Sequence, residues 1–592
     1  MGSMHNDADS RASERQQARH LRKLSSFLFG LAVLAAITGL VPRAWLIPIG
    51  PLVGRPNAVT EEVHHRMMIV IGVFAFVLVV TGVVLTRWST GIQSLGSEWS
   101  RERTRMRLSV GGSWKEILAI TAAGAAIRGV YLTIPMAYDE SYTFLNYARK
   151  SFVECIADYD STNNHLLNSW IMHWLYRIGG PQEAVLRLGV YLAGVLLVPV
   201  TYAWAREWTE REGALLAAGL VAIAPGLITY SVDARGYTYV SLAAVCLDLA
   251  FRRQLAGSEF PRHWSVVGIV SAVLGLWAMP IMLYAVLGCS AAFAAGVWLR
   301  KTGDPLVIRN RLVSWIAHGT IVGVLVFILY VPAFVYRGLR FLQDPIMRPS
   351  QSQNLLTATW DSWCGAWTWW TAGPVPSLLW GVCVTAALIH WSKSRQVRLT
   401  WLCPFVVVAV INLLKSSAPP PRIYLLLTPW MAFAGAEGFT TLCRWCRCPK
   451  RLPGLLTAIV ICCGIGAAAR SPGLINPEER LLFLDVPAIV SAVQADQVSR
   501  ANTRVRLMSP VPVDYPTRFY LEREQSQIMM NGVPEKGDLI YVVVIDGDQP
   551  IDTFGRSPIN LPGWSVPDVV WEKIPIPPQR HDTGHLKLFR MR

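Results

Sequence analysis

The sequence predicts a polytopic α-helical membrane protein with a small α/β domain at its C-terminal end. Of its 592 residues, 52% are hydrophobic and only 16% are charged. Apolar runs of about 20 residues, the length that crosses a hydrocarbon core, recur between residues 27 and 470. After about residue 471 this pattern stops, and short helix and strand patterns alternate instead.

The net charge of +16 is explained by membrane topology rather than by nucleic-acid binding. Membrane proteins accumulate Lys and Arg in their cytoplasmic loops, so basicity here indicates orientation. Residues 1–24 form a polar, basic tail. The apolar segment that follows is too long and too interrupted by proline for a cleavable signal peptide, and we expect it to be a retained first span.

Hydrophobicity predicts about 13 spans. They are residues 27–47, 66–86, 115–134, 183–204, 212–231, 236–252, 264–281, 282–300, 314–334, 376–392, 399–414, 422–440 and 454–470.

The segment 165–180, HLLNSWIMHWLYRIGG, is apolar but short and carries two histidines and an arginine. If it crossed the membrane, every later basic loop would be translocated, which the positive-inside rule disfavours. We therefore expect it to lie along the membrane surface. The N-terminus is then cytoplasmic, the C-terminus is extracytoplasmic, and two long outer loops cover residues 135–182 and 337–375.

Four regions follow from this topology. Residues 1–24 form the cytoplasmic tail, and residues 25–114 form an accessory pair of spans with a cytoplasmic loop. Residues 115–470 form the main transmembrane module. Residues 471–592 form an extracytoplasmic α/β domain, with helices predicted at 485–500 and 515–523, strands at 504–511 and 539–548, and an edge strand at LKLFRMR.

Most of the eleven cysteines lie in apolar segments, where a thiol behaves as a small hydrophobe. Cys155 and Cys364 are different, because the topology places both in outer loops, where a disulfide is chemically allowed.

The outer loop 135–182 opens on an acidic pair, Asp139 and Glu140, in YDESYTFLNYARKSF. The aromatic and apolar residues of this stretch recur at helical spacing, which indicates a helix lying in the membrane interface. Asp139 is explained either as a cap of this helix or as a reactive carboxylate. Capping alone does not require Glu140.

Three more polar clusters lie at the same predicted membrane face. Each has a plain structural explanation: a surface histidine, a local turn, and a snorkelling arginine beside a belt tyrosine. Their shared location favours a reaction between a lipid-linked anion and a second substrate. The clusters are Asn163, Asn164 and His165; Asp233, Arg235 and Tyr237; and Lys415, Arg422 and Tyr424.

These residues resemble the GT-C superfamily of integral-membrane glycosyltransferases, which includes protein O-mannosyltransferases and lipid A aminoarabinose transferases. The resemblance rests on the acidic pair, on NNHLLNSW followed by GGPQEAVLRLGVYLAG, on DARGY and on PPRIYLLLTPW. It covers about residues 115–440. It implies that the main module, 115–470, is a GT-C catalytic module and that a small C-terminal domain accompanies it.

The resemblance implies transfer of a sugar from a polyprenyl-phosphate donor to a lipid, glycan or protein acceptor on the outer face, with inversion. Asp139 would then be the general base, and Glu140 would assist or orient it. Phosphate or substrate binding would fall to Asn164, His165, Asp233, Arg235, Tyr237, Arg422 and Tyr424. The protein would lie in a bacterial inner (plasma) membrane and would not bind nucleic acid.

Two features depart from the family pattern. The spans 27–47 and 66–86 precede the usual first span, and their role is open. Asn163 and Asn164 stand where aminoarabinose transferases have an acidic and a basic residue, so use of a divalent metal is open as well.

Two further alternatives remain at this point. A transporter or flippase of lipid-linked sugars is the competing function, although such proteins bury ionisable groups near mid-bilayer and often contain repeats. The tryptophans between residues 360 and 370 serve either as interface anchors or as a surface for a sugar or polyprenyl chain.

Overall fold

The computed structural model describes most of the chain from residue 113 onward. The described residues are 113–159, 161, 163–256, 262–299, 305–337, 354–371, 377–392, 395–448, 483–499, 504–509, 512–531, 539–545, 571–574 and 586–591, with isolated positions at 68–69, 72, 454–455, 458–459, 462–463 and 466. The predicted spans 27–47, 66–86 and 454–470 lie largely or wholly outside them.

The membrane module is helical throughout its described part. Its helices are α1 Trp114–Val130, α2 Tyr138–Thr143, α3 Phe152–Ala157, α4 Leu166–Gly179, α5 Glu183–Ala205, α6 Arg211–Ile223, α7 Pro225–Ser231, α8 Tyr237–Ala256, α9 Arg262–Ala278, α10 Met282–Leu299, α11 Pro305–Arg337, α12 Leu355–Thr371, α13 Ser377–Trp391, α14 Arg395–Leu414 and α15 Thr428–Trp445. A π-helical turn, Phe144–Ala148, continues α2, and a 3₁₀ helix, Pro421–Leu427, precedes α15.

Each predicted span between residues 115 and 440 coincides with one of these helices or with a pair of them. Within the described part, four helices are long and apolar enough to cross a bilayer, and a fifth span results if α6 and α7 count as one bent segment. The protein is therefore an integral membrane protein, while the number of about 13 spans stays a prediction. The four are Glu183–Ala205, Met282–Leu299, Ser314–Tyr336 and Val397–Leu414.

A buried arginine stabilises the bend of 56° between α6 and α7. Pro225 has no N–H, so the carbonyl of Val221 loses its helical partner. The fully buried Arg128 donates to that carbonyl at 3.3 Å and to the carbonyl of Ala222 at 2.7 Å. An unsatisfied carbonyl in an apolar interior is costly, so Arg128 fixes the bend and with it the turn at residues 232–236.

The segment between α1 and α5, called the outer segment after its predicted location, folds into α2, the π-helical turn, α3 and α4. Helix α4 has 14 residues, a length of about 21 Å, which is too short to cross a hydrocarbon core of about 30 Å. It packs against α5 and the π-helical turn. Both facts support the prediction that residues 165–180 do not form a span.

The C-terminal domain contains the predicted helices, α16 Val486–Ser499 and α17 Asp514–Arg523, beside a five-stranded sheet. The strand order is β2-β1-β3-β5-β4, with β1 parallel to β2 and β3, and β5 antiparallel to β3 and β4. The strands are β1 Val505–Met508, β2 Met529–Met530, β3 Leu539–Ile545, β4 Trp571–Ile574 and β5 Leu586–Met591.

The edge-strand prediction for LKLFRMR is wrong. Strand β5 lies between β3 and β4, and Leu586 and Leu588 are buried in the domain core. The alternating charged residues of LKLFRMR do not require an edge position, because polar side chains can point outward from an internal strand of a half-covered sheet. The strand that takes the edge, β4, carries only four residues and was not predicted.

The C-terminal domain packs directly on the outer segment through α17. The Tyr520 hydroxyl donates to Glu183 at 2.9 Å and accepts from the backbone N–H of Met136 at 2.9 Å. Arg523 pairs with Glu183 at 2.8 Å, and a further ion pair joins Arg149 to Glu522. The domain therefore lies at the same end of the membrane module as α2, which carries the acidic pair.

Candidate functional site

Three of the predicted polar clusters meet around Asp139. The carboxylate of Asp139 pairs with the guanidinium of Arg235, which comes from the turn between α7 and α8. Arg235 also donates to the side-chain oxygen of Asn163 at 2.7 Å, and Asn163 donates to the backbone carbonyl of Asp139 at 3.1 Å. The Asp139 side chain is 33% exposed and that of Arg235 only 7%. A buried arginine thus holds a carboxylate that solvent can reach.

Asp139 is not the cap of α2. The N-cap residue is Ala137, and its N–H donates to Glu140 at 3.0 Å. The capping role therefore belongs to Glu140, which accepts the N–H at the start of the helix. The carboxylate of Asp139 is not used for capping and faces Arg235 instead.

Glu140 is fully buried and is surrounded by hydrogen-bond donors. Oε1 accepts from Arg187 at 2.7 Å and from the N–H of Ala234 at 2.8 Å. Oε2 accepts from Arg187 at 2.6 Å and from Ala137. Glu140 therefore connects α2, α5 and the turn that carries Arg235, and this fixes the distance between Asp139 and Arg235.

Arg187 is the residue that the sequence interpretation missed. It is fully buried, and beyond Glu140 it donates to the carbonyls of Leu132, Ile134 and Pro135 at 2.6 to 3.1 Å. An ionisable residue within an apolar span is costly without a partner, so its presence in a predicted span was a signal of a buried ion pair.

His165 lies beside Arg235 as a neutral imidazole. Its Nδ1 accepts the N–H of Gly236 at 2.8 Å, so the proton of the neutral ring is on Nε2. Burial, together with the positive charges of Arg235 and Arg422, holds the pKa of His165 well below its ordinary value. The ring also meets Tyr237 edge-on, with centroids 5.6 Å apart. His165 can therefore donate a hydrogen bond without carrying charge.

The positive charges near Asp139 come from Arg235 and Arg422. Burial is the largest single influence and opposes the charged form of Arg235, but the neighbouring groups, with Asp139 first among them, together raise its pKa. Asp233, which is also buried, adds to that effect. Arg235 lies 5.4 Å above the ring of Tyr237.

Arg422 differs from Arg235 in having no polar partner within the described part of the chain. It is half-buried in the 3₁₀ helix, and among the described residues its side chain makes no hydrogen bond and no ion pair. The positive charge of Arg422 nevertheless helps to lower the pKa of His165. The guanidinium donors of Arg422 are therefore available to an anion.

Two predicted site residues lie apart from this cluster. Asn164 is fully buried, donates to the carbonyl of Asp158 at 2.7 Å and accepts from Ser169 at 2.6 Å, so its amide is used inside the loop. The hydroxyl of Tyr424 accepts from Ser362 at 3.0 Å and from Asn412 at 3.2 Å. The polar groups of Asn164 and Tyr424 are therefore used in hydrogen bonds away from Asp139. Asn163, the neighbour of Asn164, is the residue that contacts Asp139 and Arg235.

The tryptophan-rich segment is a helix rather than an irregular loop. Within the predicted loop 337–375, α12 runs over 17 residues. Trp363 packs 4.6 Å from Tyr424 and Trp369 stacks 6.0 Å from Tyr230, whereas Trp360 is 70% exposed. One face of the helix therefore packs on the module and the other is exposed, which fits the anchoring interpretation.

Neither a disulfide nor a metal set forms in the described residues. Cys155 is buried, Cys364 is exposed, and both are free thiols. No group of three His, Cys, Asp or Glu side chains there could hold a metal ion. The carboxylate of Asp139 is already paired with Arg235, and the positive charge of Arg422 nearby further disfavours a divalent cation there.

The fold can be compared with solved structures. No protein-family model and no curated protein matches the sequence. ArnT, an aminoarabinose transferase from Cupriavidus metallidurans, has a similar fold both in the apo state and bound to undecaprenyl phosphate. In each case the identity is 12%, the TM-score is 0.51, and the match covers 81% of this chain and 98% of that chain.

An oligosaccharyltransferase from Archaeoglobus fulgidus, in the apo form, matches at 11% identity and a TM-score of 0.39, over 72% of this chain and 69% of that chain. ArnT, with the higher score, supports the resemblance that the polar clusters predicted. The protein has the fold of the GT-C membrane glycosyltransferases.

Proposed function

We propose that the protein is a membrane glycosyltransferase that moves a sugar from a polyprenyl-phosphate donor to an acceptor hydroxyl on the outer face of the membrane. The observation that carries the proposal is the solvent-reachable carboxylate of Asp139 near two arginines, one of which has no polar partner among the described residues. The fold is consistent with it, since ArnT has been solved with undecaprenyl phosphate.

In the proposed reaction, Asp139 accepts the proton of the acceptor hydroxyl. The acceptor oxygen attacks the anomeric carbon of the donor sugar, and the bond between that carbon and the phosphate oxygen breaks. The phosphate leaves with the bonding electrons, and Arg235 and Arg422 stabilise the charge that develops on it. A single displacement of this kind inverts the anomeric configuration.

The remaining residues act by position and by hydrogen bonding. Glu140 and Arg187 hold the helix of Asp139 against the turn of Arg235. Neutral His165 offers its Nε2–H to a phosphate or sugar oxygen, and Tyr237 supports the guanidinium of Arg235. Asp233 keeps Arg235 charged. The contacts of Asn164 and Tyr424 favour a packing role for both.

The decisive experiment compares Asp139→Asn with a matched control, Asp361→Asn, in an exposed acid of α12. Cells and purified membranes containing each variant are analysed by mass spectrometry for polyprenyl-phosphate sugars and for glycosylated envelope components. Loss of a general base costs about 10² to 10⁴ in rate, so the donor accumulates and the product disappears only in Asp139→Asn. Near-normal product in Asp139→Asn would remove Asp139 as the base.

The same measurement separates the enzyme from a transporter or flippase. A transporter moves the lipid-linked sugar without cleaving it, so the sugar would remain on the polyprenyl phosphate in reconstituted vesicles. Release of polyprenyl phosphate that depends on Asp139 is expected only for the transferase.

A further inference from the structure

Three half-buried tyrosines form a cluster immediately beside Asp139, at the contact between the membrane module and the C-terminal domain. Tyr138 and Tyr142 belong to α2, and Tyr515 belongs to α17. The Tyr515 ring lies 5.3 Å from that of Tyr138 and 4.7 Å from that of Tyr142. Tyr142 follows Asp139 by three residues, so both lie on one face of α2.

Three polar atoms at this contact, on Tyr138, Tyr515 and Asp514, have no hydrogen-bond partner within the described part of the protein. The hydroxyls of Tyr138 and Tyr515 make no hydrogen bond with any described residue. Oδ1 of Asp514, the first residue of α17, is shielded from solvent and likewise has no hydrogen-bond partner in the described part. A shielded oxygen without a donor is unfavourable, so a donor supplied by a ligand would be favoured there.

Electrostatics agree with this geometry. Burial raises the pKa of Asp514. Burial and the negative charge of Asp514 also raise the pKa of Tyr138 to about 12, so its hydroxyl remains a neutral donor. The charge of Asp514 therefore acts at the residue that directly precedes Asp139.

Hydrogen bonds and ring packing fix the position of α17 at this contact. Tyr520, on the same helix as Asp514, bonds both to Glu183 and to the backbone of Met136. Phe519 also packs edge-on against Phe144, with centroids 5.4 Å apart. Asp514 and Tyr515 are therefore held in a defined position relative to Asp139.

We propose that Tyr138, Tyr142, Tyr515 and Asp514 form an acceptor subsite for a sugar ring, completed by the C-terminal domain. A pyranose ring has an apolar C–H face and an edge of hydroxyl groups. The tyrosine rings match the apolar face, and the carboxylate of Asp514 with the Tyr138 hydroxyl matches the hydroxyl edge. The proposal rests on the proposed function and narrows its acceptor to a glycan or the sugar headgroup of a glycolipid.

This arrangement divides the site into two sides. The arginines on the turn and the 3₁₀ helix would bind the phosphate of the donor, while the tyrosines and Asp514 would bind the acceptor sugar. Asp139 lies between them, where it can take the proton from an acceptor hydroxyl. Substitutions of the tyrosines or of Asp514 should therefore change acceptor binding without changing donor binding.

The test is saturation-transfer NMR on the full chain in detergent micelles, with methyl α-mannoside and methyl α-glucoside as probes. Variants are Tyr515→Ala, Tyr515→Phe and Asp514→Asn, with Arg518→Ala, exposed on the same helix, as the control. An aromatic contact contributes about 0.5–1.5 kcal/mol, or about two- to tenfold in affinity, so we expect a weakening of this size in Tyr515→Ala and Asp514→Asn.

Tyr515→Phe keeps the ring and should retain most of the binding, as should the control. Asp139→Asn should also retain sugar binding although it loses transfer, so failure of the subsite and failure of the proposed function give different results. Thermal unfolding of each variant verifies that α17 remains docked. Sugar binding that is absent from the wild-type chain, or that is unchanged in both Tyr515→Ala and Asp514→Asn, would overturn the subsite.

Discussion

Asp139 and Glu140 are neighbours in the chain, and each is paired with an arginine, yet the two pairs lie in different surroundings. Both side chains of the Glu140–Arg187 pair are 0% exposed, whereas the Asp139 side chain is 33% exposed. Glu140 accepts four hydrogen bonds on its two oxygens. The protein itself fills the hydrogen-bonding capacity of the Glu140–Arg187 pair, whereas the carboxylate of Asp139 stays accessible from solvent.

The largest expected effect is on turnover in Asp139→Asn. The amide cannot accept the proton of an acceptor hydroxyl, so transfer should fall by about 10² to 10⁴. Asparagine still offers Arg235 an acceptor, and Arg235 keeps its hydrogen bond to Asn163, so the free energy of unfolding should change little. Product formation and thermal unfolding of the same preparation test both statements. A large loss of stability in this variant would show that Asp139 resembles Glu140 after all.

Glu140→Ala, unlike Asp139→Asn, should strongly lower the free energy of unfolding. Removing one partner from a buried ion pair leaves an uncompensated charge and costs about 3–5 kcal/mol of folding free energy. We expect a markedly lower unfolding temperature and poor yield in membranes. The double variant Glu140→Gln, Arg187→Met removes both charges. It should be more stable than Glu140→Gln alone or Arg187→Met alone, because neither charge is left without its partner. Equal stability of Glu140→Ala and the wild type would contradict the structural role.

The sequence predicted this division only in part. It singled out the acidic pair, His165, Arg235 and Arg422 as residues that belong together, because charged and polar residues are rare in apolar segments. It did not identify the partner of Glu140, since Arg187 lies 47 residues away in the chain. Pairing at that distance depends on how α2 and α5 pack, which hydrophobic periodicity does not encode.

Two other differences have local causes. Asn163 and Asn164 are adjacent and chemically identical, and only the backbone turn decides which amide reaches Arg235. The tryptophans of α12 follow helical spacing with one face packed, although the sequence interpretation treated residues 337–375 as a loop. In both places residue type is informative and the direction of the side chain is not.

Arg422→Gln should weaken binding of the donor more than it lowers the stability of the fold. Arg422 has no polar partner among the described residues, so its removal leaves no buried group unsatisfied. Hydrogen bonds to charged groups contribute about 1.5–3 kcal/mol, which corresponds to about a 10- to 100-fold higher KM for a polyprenyl-phosphate sugar. Steady-state kinetics measure this change, and the unfolding temperature should stay near that of the wild type. An unchanged donor KM would place the phosphate elsewhere.

The pH dependence of stability tests the neutral state of His165. Its pKa is lower in the folded protein than in the unfolded chain, so the unfolded chain binds more protons between the two pKa values. Stability should therefore fall as the pH drops below about 6.5, by up to about 1.4 kcal/mol per pH unit for this group. His165→Asn keeps an acceptor for the Gly236 N–H and should show a shallower decline between pH 6.5 and 5. Parallel profiles for the two proteins would mean that His165 is already charged.

The smallest expected effect concerns the docking of the C-terminal domain. Tyr520→Phe removes the hydroxyl that bonds to both Glu183 and the Met136 N–H, at a cost of about 1 kcal/mol. The ion pair between Arg523 and Glu183 remains, so the domain should stay docked but loosen at α17. Amide hydrogen exchange should then increase in α17 and at the start of α2, while the Glu140–Arg187 region keeps its protection. Because the loosened helix carries Asp514 and Tyr515, the KM for a sugar acceptor should rise while the donor KM does not. A rise in both constants would mean that the domain acts on Asp139 itself rather than on the acceptor side alone.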